Sequence, residues 1–293
     1  MTSLAWQRIG PQREPPRRVL LLGSTGMVGR AWRQHLESLN IEHTPAHRPD
    51  FDLSDPASIT RSVDGPYDLV VNAAAWTDVD GAESDEDGAN QANAHAVELI
   101  AQRCKQLGAM LITYSTDYVF DGCANDPYAI EALIDPINAY GRSKALGESL
   151  LRSVSDNHIL IRTSWVHAPW GKNFVLTMRS LTTSRDEIRV VDDQQGRPTN
   201  AVSLATGSLD LYTHGALGTW HLTDAGECTW HTLATEIRDL LDAPCQVLAC
   251  SSDAFPRPAK RPMYSTLDIA PTVSLIGDRP DWKRGVANSL GIT

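Results

Sequence analysis

The chain has 293 residues, 42% of them hydrophobic, enough for one large α/β unit or a domain with a smaller lobe. A net charge of −10 argues against non-specific binding to nucleic acid or an acidic membrane surface, so any anionic ligand must meet a local basic patch. The five cysteines are scattered and odd in number with no Cys-x-x-Cys pair, so neither a disulfide framework nor a zinc site is expected, and a reducing cytoplasm fits best.

Residues 1–17, ending Arg13-Glu14-Pro15-Pro16-Arg17, are polar and Pro-rich without the apolar stretch of a signal peptide, and read as a flexible tail. No segment reaches the roughly 20 apolar residues of a membrane span. Val19-Leu20-Leu21-Leu22 has the continuous apolar pattern of a buried parallel strand. Gly23-Ser24-Thr25-Gly26-Met27-Val28-Gly29 follows with Gly-x-x-Gly-x-x-Gly spacing and runs into a helix with Val28, Trp32, Leu36 and Leu39 on one stripe. Glycines at that spacing let the backbone approach a pyrophosphate at the positive end of a helix. Gly23, Gly26, Met27, Val28 and Gly29 are therefore candidate cofactor contacts. Residues 41–45 read as a second strand. Beyond it Ala46-His47-Arg48 stands where an NAD-preferring fold places a ribose-binding carboxylate, and Arg48 there suits a 2′-phosphate. Residues 52–56 are expected to close a strand and open a helix, with Asp55 as N-cap and Pro56 at the first helical position.

Residues 68–75 read as the next buried strand, whose small end, Ala73, Ala74 and Ala75, leaves space for a cofactor. A helix over 87–107 and a strand over 110–114 follow. That strand delivers Ser115, Thr116 and Asp117 to the carboxyl edge of the sheet, where ligands bind in such folds. Residues 158–161 form a further strand, and past Arg162 the βα alternation loosens. The pattern predicts an α/β fold: a Rossmann-like, doubly wound parallel sheet over 18–162, and over 163–293 mainly a smaller, discontinuous substrate lobe with segments rejoining the first domain.

Within this frame Tyr140 and Lys144 stand four positions apart on a predicted helix, which puts both side chains on one face. A cation beside a phenol favours the phenolate and brings its pKa toward the range useful for proton transfer to a carbonyl oxygen. Thr116, at the nearby strand end, is placed to bond that oxygen. The Tyr-x-x-x-Lys spacing recurs by chance, so its meaning rests on the glycine turn and strand ends around it.

Five blocks appear in order: Asn72 to Asp80 (NAAAWTDVD), Tyr114 to Gly122 (YSTDYVFDG), Tyr140 to Lys144 (YGRSK), Arg162 to Val166 (RTSWV) and Arg261 to Asp268 (RPMYSTLD). Together they resemble the extended short-chain dehydrogenase/reductase superfamily, and within it the dTDP-4-dehydrorhamnose reductase family, over nearly the whole chain beyond the tail. The resemblance implies Thr116, Tyr140 and Lys144 as the catalytic set. It places Asp117 and Trp165 near the deoxysugar nucleotide and Asp52 and Leu53 near the adenine, with NADPH, or NADH, as hydride donor. Thr77 and Tyr114, within the blocks, join the candidate cofactor contacts.

Arg257-Pro258-Ala259-Lys260-Arg261-Pro262 is the densest basic cluster of the C-terminal third. Its overlap with the last block makes Arg261, with Lys260 second, the candidate diphosphate site. The chain departs from the family at His167-Ala168-Pro169-Trp170, where a tyrosine and glycine are common. Some members are described as magnesium-bridged dimers. No motif here places the carboxylates, so no metal is assigned, while a homodimer stays among the expectations. The implied function is reduction of the C4 ketone of dTDP-4-dehydro-L-rhamnose. Two alternatives remain open: a nucleotide-sugar dehydratase or epimerase, and a cofactor-binding regulatory subunit resembling the methionine adenosyltransferase beta subunit. Against the dehydratase, Asp117-Tyr118 stands where those enzymes carry Asp-Glu.

Overall fold

The computed structural model describes residues 6–292, and within them the chain opens with a strand, β1 (Gln7–Ile9), where a flexible tail was expected. β1 sits at the edge of a seven-stranded sheet. The first five parallel members are β2 (Arg18–Leu22), β3 (Glu42–Ala46), β4 (Leu69–Asn72), β5 (Met110–Thr116) and β6 (His158–Thr163). Later in the chain, β7 (Val166–His167) pairs with β10 (Thr199–Asn200), β8 (Glu187–Val191) with β13 (Gln246–Cys250), and β9 (Gln195–Gly196) with β12 (Cys228–Thr229). β11 (Ala216–His221) returns to the main sheet, whose order is β1-β11-β6-β5-β4-β2-β3.

The tail is ordered because β11 would otherwise present a row of unpaired amides and carbonyls. Gln7 to Ile9 pair antiparallel with Gly218 to Ala216, Thr219 N donates to Trp6 O at 2.6 Å, and Arg13 Nη1 donates to Tyr212 O at 2.9 Å. The Trp6 ring lies under two guanidiniums, Arg152 at 4.4 Å and Arg162 at 5.5 Å from its centroid. Residues 1–5 of the expected tail lie outside the described residues. Trp6→Ala is expected to cost about 1–2 kcal/mol, from two cation–π contacts and the lost ring packing, read as a fall of a few degrees in Tm. An unchanged Tm would return residues 6–17 to the status of a tail.

Helix α1 (Met27–Ser38) covers one face of the sheet together with α8 (Ala201–Thr213) and α10 (Ala270–Ile276), around Trp32, Leu36, Leu204 and Trp220. On the other face α2 (Pro56–Ser62), α5 (Ala96–Leu107) and α6 (Ala139–Val154) bury Ile59, Ile100 and Leu151. Two short helices, α3 (Val79–Ala82) and α4 (Glu86–Asn90), follow β4, and one π turn, Gln91–His95, joins α4 to α5. The helix expected over 87–107 is thus a run with a single register change. Near residue 52 no strand forms. The Asp52 carboxylate instead accepts from Ser54 N and Oγ (2.9 and 2.8 Å), closing a turn, while Asp55 caps α2 as expected. The second lobe packs α7 (Phe174–Ser184), α9 (Trp230–Leu240) and α11 (Trp282–Leu290) on β8 and β13, around Val175, Ile188, Leu233 and Trp282. Among the described residues no helix is long and apolar enough to cross a membrane.

Candidate active site

The carboxyl ends of β2, β4, β5 and β6 meet at one edge. Gly23 N and Ser24 N donate to Ala46 O, tying the glycine turn to the end of β3. At Gly29 a Cβ would run into the Gly23 carbonyl, so α1 begins this close to its strand only because glycine stands there. Gly26 caps the 12-residue helix α1 without a side-chain hydrogen bond, which leaves its first amides directed at the edge. Ala73, Ala74 and Ala75 line the same edge half-buried. Arg48 is exposed beyond β3, beside His47, whose Nδ1 shares a 3.0 Å hydrogen bond with Ser24 Oγ. The amide and hydroxyl of Ser54 hold the Asp52 carboxyl below its usual range, with Arg48 adding to the effect. An open helix N-terminus, a backbone free to approach and a small-residue wall together fit a dinucleotide.

Asn138 starts α6, accepting from Gly141 N at 2.7 Å and donating Nδ2 to Lys260 O at 2.8 Å. At Gly141 a Cβ would run into the Tyr118 carbonyl, so α6 presses directly against the segment after β5. This brings Tyr140 and Lys144 to Thr116 and Asp117. Lys144 is buried, and its Nζ donates to Tyr114 O at 2.6 Å. Burial lowers its pKa to about 8, with Glu148 opposing. The Tyr140 ring meets Tyr118 edge-on at 5.9 Å. Burial raises the Tyr140 phenol above its ordinary value, while the Thr116 hydroxyl draws it down and Asp117 pushes it up. The expected lowering by Lys144 does not occur here, because the ammonium is turned to the Tyr114 carbonyl and burial dominates. A phenol that stays protonated at neutral pH is a proton donor for an oxygen turning basic. Thr116 Oγ1 donates to Asp117 Oδ1 at 2.9 Å. Burial raises the Asp117 carboxyl to about 6, against the hydroxyls of Ser265 and Thr116.

The family model described as the RmlD substrate binding domain matches residues 17–292. A dTDP-4-dehydrorhamnose reductase of Burkholderia thailandensis is 37% identical over 92% of this chain and 96% of that protein. A dTDP-4-keto-6-deoxy-D-glucose reductase of Streptomyces niveus is 40% identical over 85% of this chain and 88% of that one. A solved dTDP-4-dehydrorhamnose reductase of Bacillus anthracis, in complex with NADP, superposes with a TM-score of 0.89 at 31% identity, covering 94% of this chain and 98% of that chain. This chain belongs to the dTDP-4-dehydrorhamnose reductase family.

Several candidates of the family pattern are engaged by other parts of the fold. The Tyr114 phenol is buried, accepting from Trp32 Nε1 at 2.6 Å and bonded to Ser208 Oγ at 2.9 Å, so only its carbonyl reaches the site, through Lys144. Trp165 is half-buried, stacking on Trp230 at 3.5 Å and lying against Gly196. Arg261 is not a free cation: its Nη1 and Nη2 meet the two oxygens of Asp80 at 2.6 and 3.0 Å. The charge assigned to a diphosphate is therefore offset, and the pair staples the 257–263 loop to α3. Lys260 is exposed, as is Thr77, and Leu53 is buried, its carbonyl accepting from Gln91 Nε2 at 3.5 Å.

Three contributors escaped the sequence reading. Glu148 is one helical turn beyond Lys144, a spacing that marks the same face of α6 and could have been read. Asn93, in the π turn, accepts from Trp76 N at 2.9 Å and donates to Ser143 Oγ at 3.0 Å, tying the segment after β4 to α6. Ser265, far along the chain, draws the Asp117 carboxyl down against its burial, and no local signal announces it.

Proposed function

We propose that this chain reduces the C4 ketone of dTDP-4-dehydro-L-rhamnose to give dTDP-L-rhamnose, with NADPH, or NADH, as cofactor. The observation that carries the reading is the placement of the Tyr140 phenol beside the Thr116 hydroxyl, on the same helical face as Lys144 and at the edge that fits a dinucleotide. A nicotinamide bound at that edge supplies the hydride. Tyr140 gives its proton to the C4 oxygen as charge gathers there, and Thr116 orients that oxygen. Lys144, its ammonium held by the Tyr114 carbonyl, stands on the helical face of Tyr140, at the edge where the cofactor ribose would lie. Asp117 holds Thr116, and Gly23 to Gly29 with Ala73 to Ala75 seat the diphosphate and adenine side, Asp52 and Leu53 lying beyond.

The 40% identity to the Streptomyces niveus enzyme favours a second reading, reduction of the same C4 ketone in the D-gluco sugar nucleotide. NADPH oxidation, followed by absorbance, separates the two when each ketone is generated in place. Turnover confined to the L-rhamno ketone supports the first reading, and turnover confined to the D-gluco ketone supports the second. Oxidation with neither overturns both.

Cofactor choice rests on Arg48. No carboxylate stands in Ala46-His47-Arg48, and Arg48 is exposed where a 2′-phosphate would arrive. Arg48→Ala should raise the KM for NADPH roughly tenfold, the scale of one charge-assisted hydrogen bond, and leave that for NADH within about twofold. Equal effects on both would make Arg48 a bystander.

A further inference from the structure

The catalytic reading leaves unused a cavity of about 260 Å³ between the first turns of α8 and α11. None of its lining residues belongs to the catalytic or cofactor set, and α8 covers the sheet face opposite α6. Arg279 and Arg284 both line it, and among the described residues neither guanidinium enters an ion pair.

Arg279 is pre-set. Its Nη2 donates to Ser203 O at 2.7 Å and Oγ at 2.8 Å, and the group lies flat on α8 at Gly207, where a Cβ would stand 2.8 Å from Nη1. Its Nε is buried and has no hydrogen-bond partner among the described residues. Arg284 is exposed at the rim. The floor is polar: buried Asp224 accepts from Asn200 N at 2.9 Å and from Ser203 Oγ. Behind it Asn200 Nδ2 donates to Ser289 Oγ at 3.1 Å, which is bonded at 2.8 Å to Nδ1 of buried His167.

Two unpaired guanidiniums converging on one polar cavity are unusual in a chain of net charge −10, since the remaining charge repels anions from most of the surface. Guanidinium forks match the oxygens of phosphate. We propose that this cavity binds a phosphate group between Arg279 and Arg284, apart from the catalytic cleft. Ligand pockets for larger molecules run from about 300 Å³ upward, so the occupant is inorganic phosphate or a phosphorylated monosaccharide rather than a nucleotide. Asp224 would accept from the hydroxyls of such a sugar and repel a bare phosphate.

Calorimetric titration with inorganic phosphate, and separately with glucose 6-phosphate, tests the site on enzyme saturated with NADP and dTDP at chloride-matched ionic strength. One phosphate per chain is expected. Arg284→Glu, at an exposed position that leaves the core untouched, should weaken binding at least about tenfold, as should Arg279→Ala. Asp224→Asn should tighten inorganic phosphate, a change of sign that general destabilisation does not produce. Tighter glucose 6-phosphate than phosphate identifies a sugar ester as the occupant, and equal affinity identifies free phosphate. No saturable binding, or binding unchanged in both arginine variants, overturns the site.

Discussion

Tyr140→Phe is expected to lower kcat by roughly 10²–10⁴ and to leave NADPH affinity within about twofold, because the hydroxyl matters only as the ketone oxygen gains charge. The ring itself should stay in place, since its packing is the edge-on contact with Tyr118 and that needs no hydroxyl. Steady-state turnover with the keto-sugar nucleotide and a fluorescence titration with NADPH measure the two arms. Retention of more than about a tenth of kcat would remove Tyr140 as proton donor. The pH profile adds a second check. The phenol lies above its ordinary 10.0, so it remains protonated through the alkaline range, whereas Lys144 gives up its proton near about 8. The alkaline fall in kcat/KM should therefore centre near 8 and disappear in an active Lys144 variant. A fall centred well above 10 would assign it to the phenol.

Breaking the Glu148–Arg162 pair should cost the fold about 3–5 kcal/mol, the scale for leaving one buried charge without its partner. Arg162 is fully buried. Its Nε and Nη2 meet the Glu148 carboxylate at 2.9 and 2.7 Å, and its Nη1 donates to Ile130 O at 2.8 Å. Burial pushes the Glu148 carboxyl up, but Arg162 and then Arg152 outweigh it and bring it down to about 2, below the ordinary 4.5. A carboxyl lowered on folding stabilises the protein above its unfolded pKa and loses that contribution as pH falls through the folded one. The pair's contribution, about 3 kcal/mol by linkage, should thus be complete above pH 5 and vanish between about 4.5 and about 2. Arg162→Met and Glu148→Gln should each lower Tm strongly at pH 7, and the Glu148→Leu, Arg162→Met double variant should recover most of the loss. Single variants as stable as the parent would mean the site relaxes by admitting water.

The same pair shows where sequence and tertiary structure divide. Val19 to Leu22, the glycine turn and the apolar run of β4 specify their strands and the βα turn locally, through burial on both faces and the missing Cβ atoms. Tyr140 and Lys144 share a face by helical spacing alone, and Asn138 and Asp55 cap their helices where short polar side chains precede them. Those features depend on neighbours within a turn or a strand, so they are legible in the sequence. The direction of the Tyr140 titration, the turning of Lys144 to a strand carbonyl and the offset of Arg261 by Asp80 depend on burial and on partners up to 181 positions away. Residues 7–9 form a strand because β11, more than 200 positions later, leaves an edge for them, and their own composition carries no sign of it. Sequence alone determined the βα framework and the residues brought to its edge. Their charges and free faces were decided only when distant segments removed water from around them.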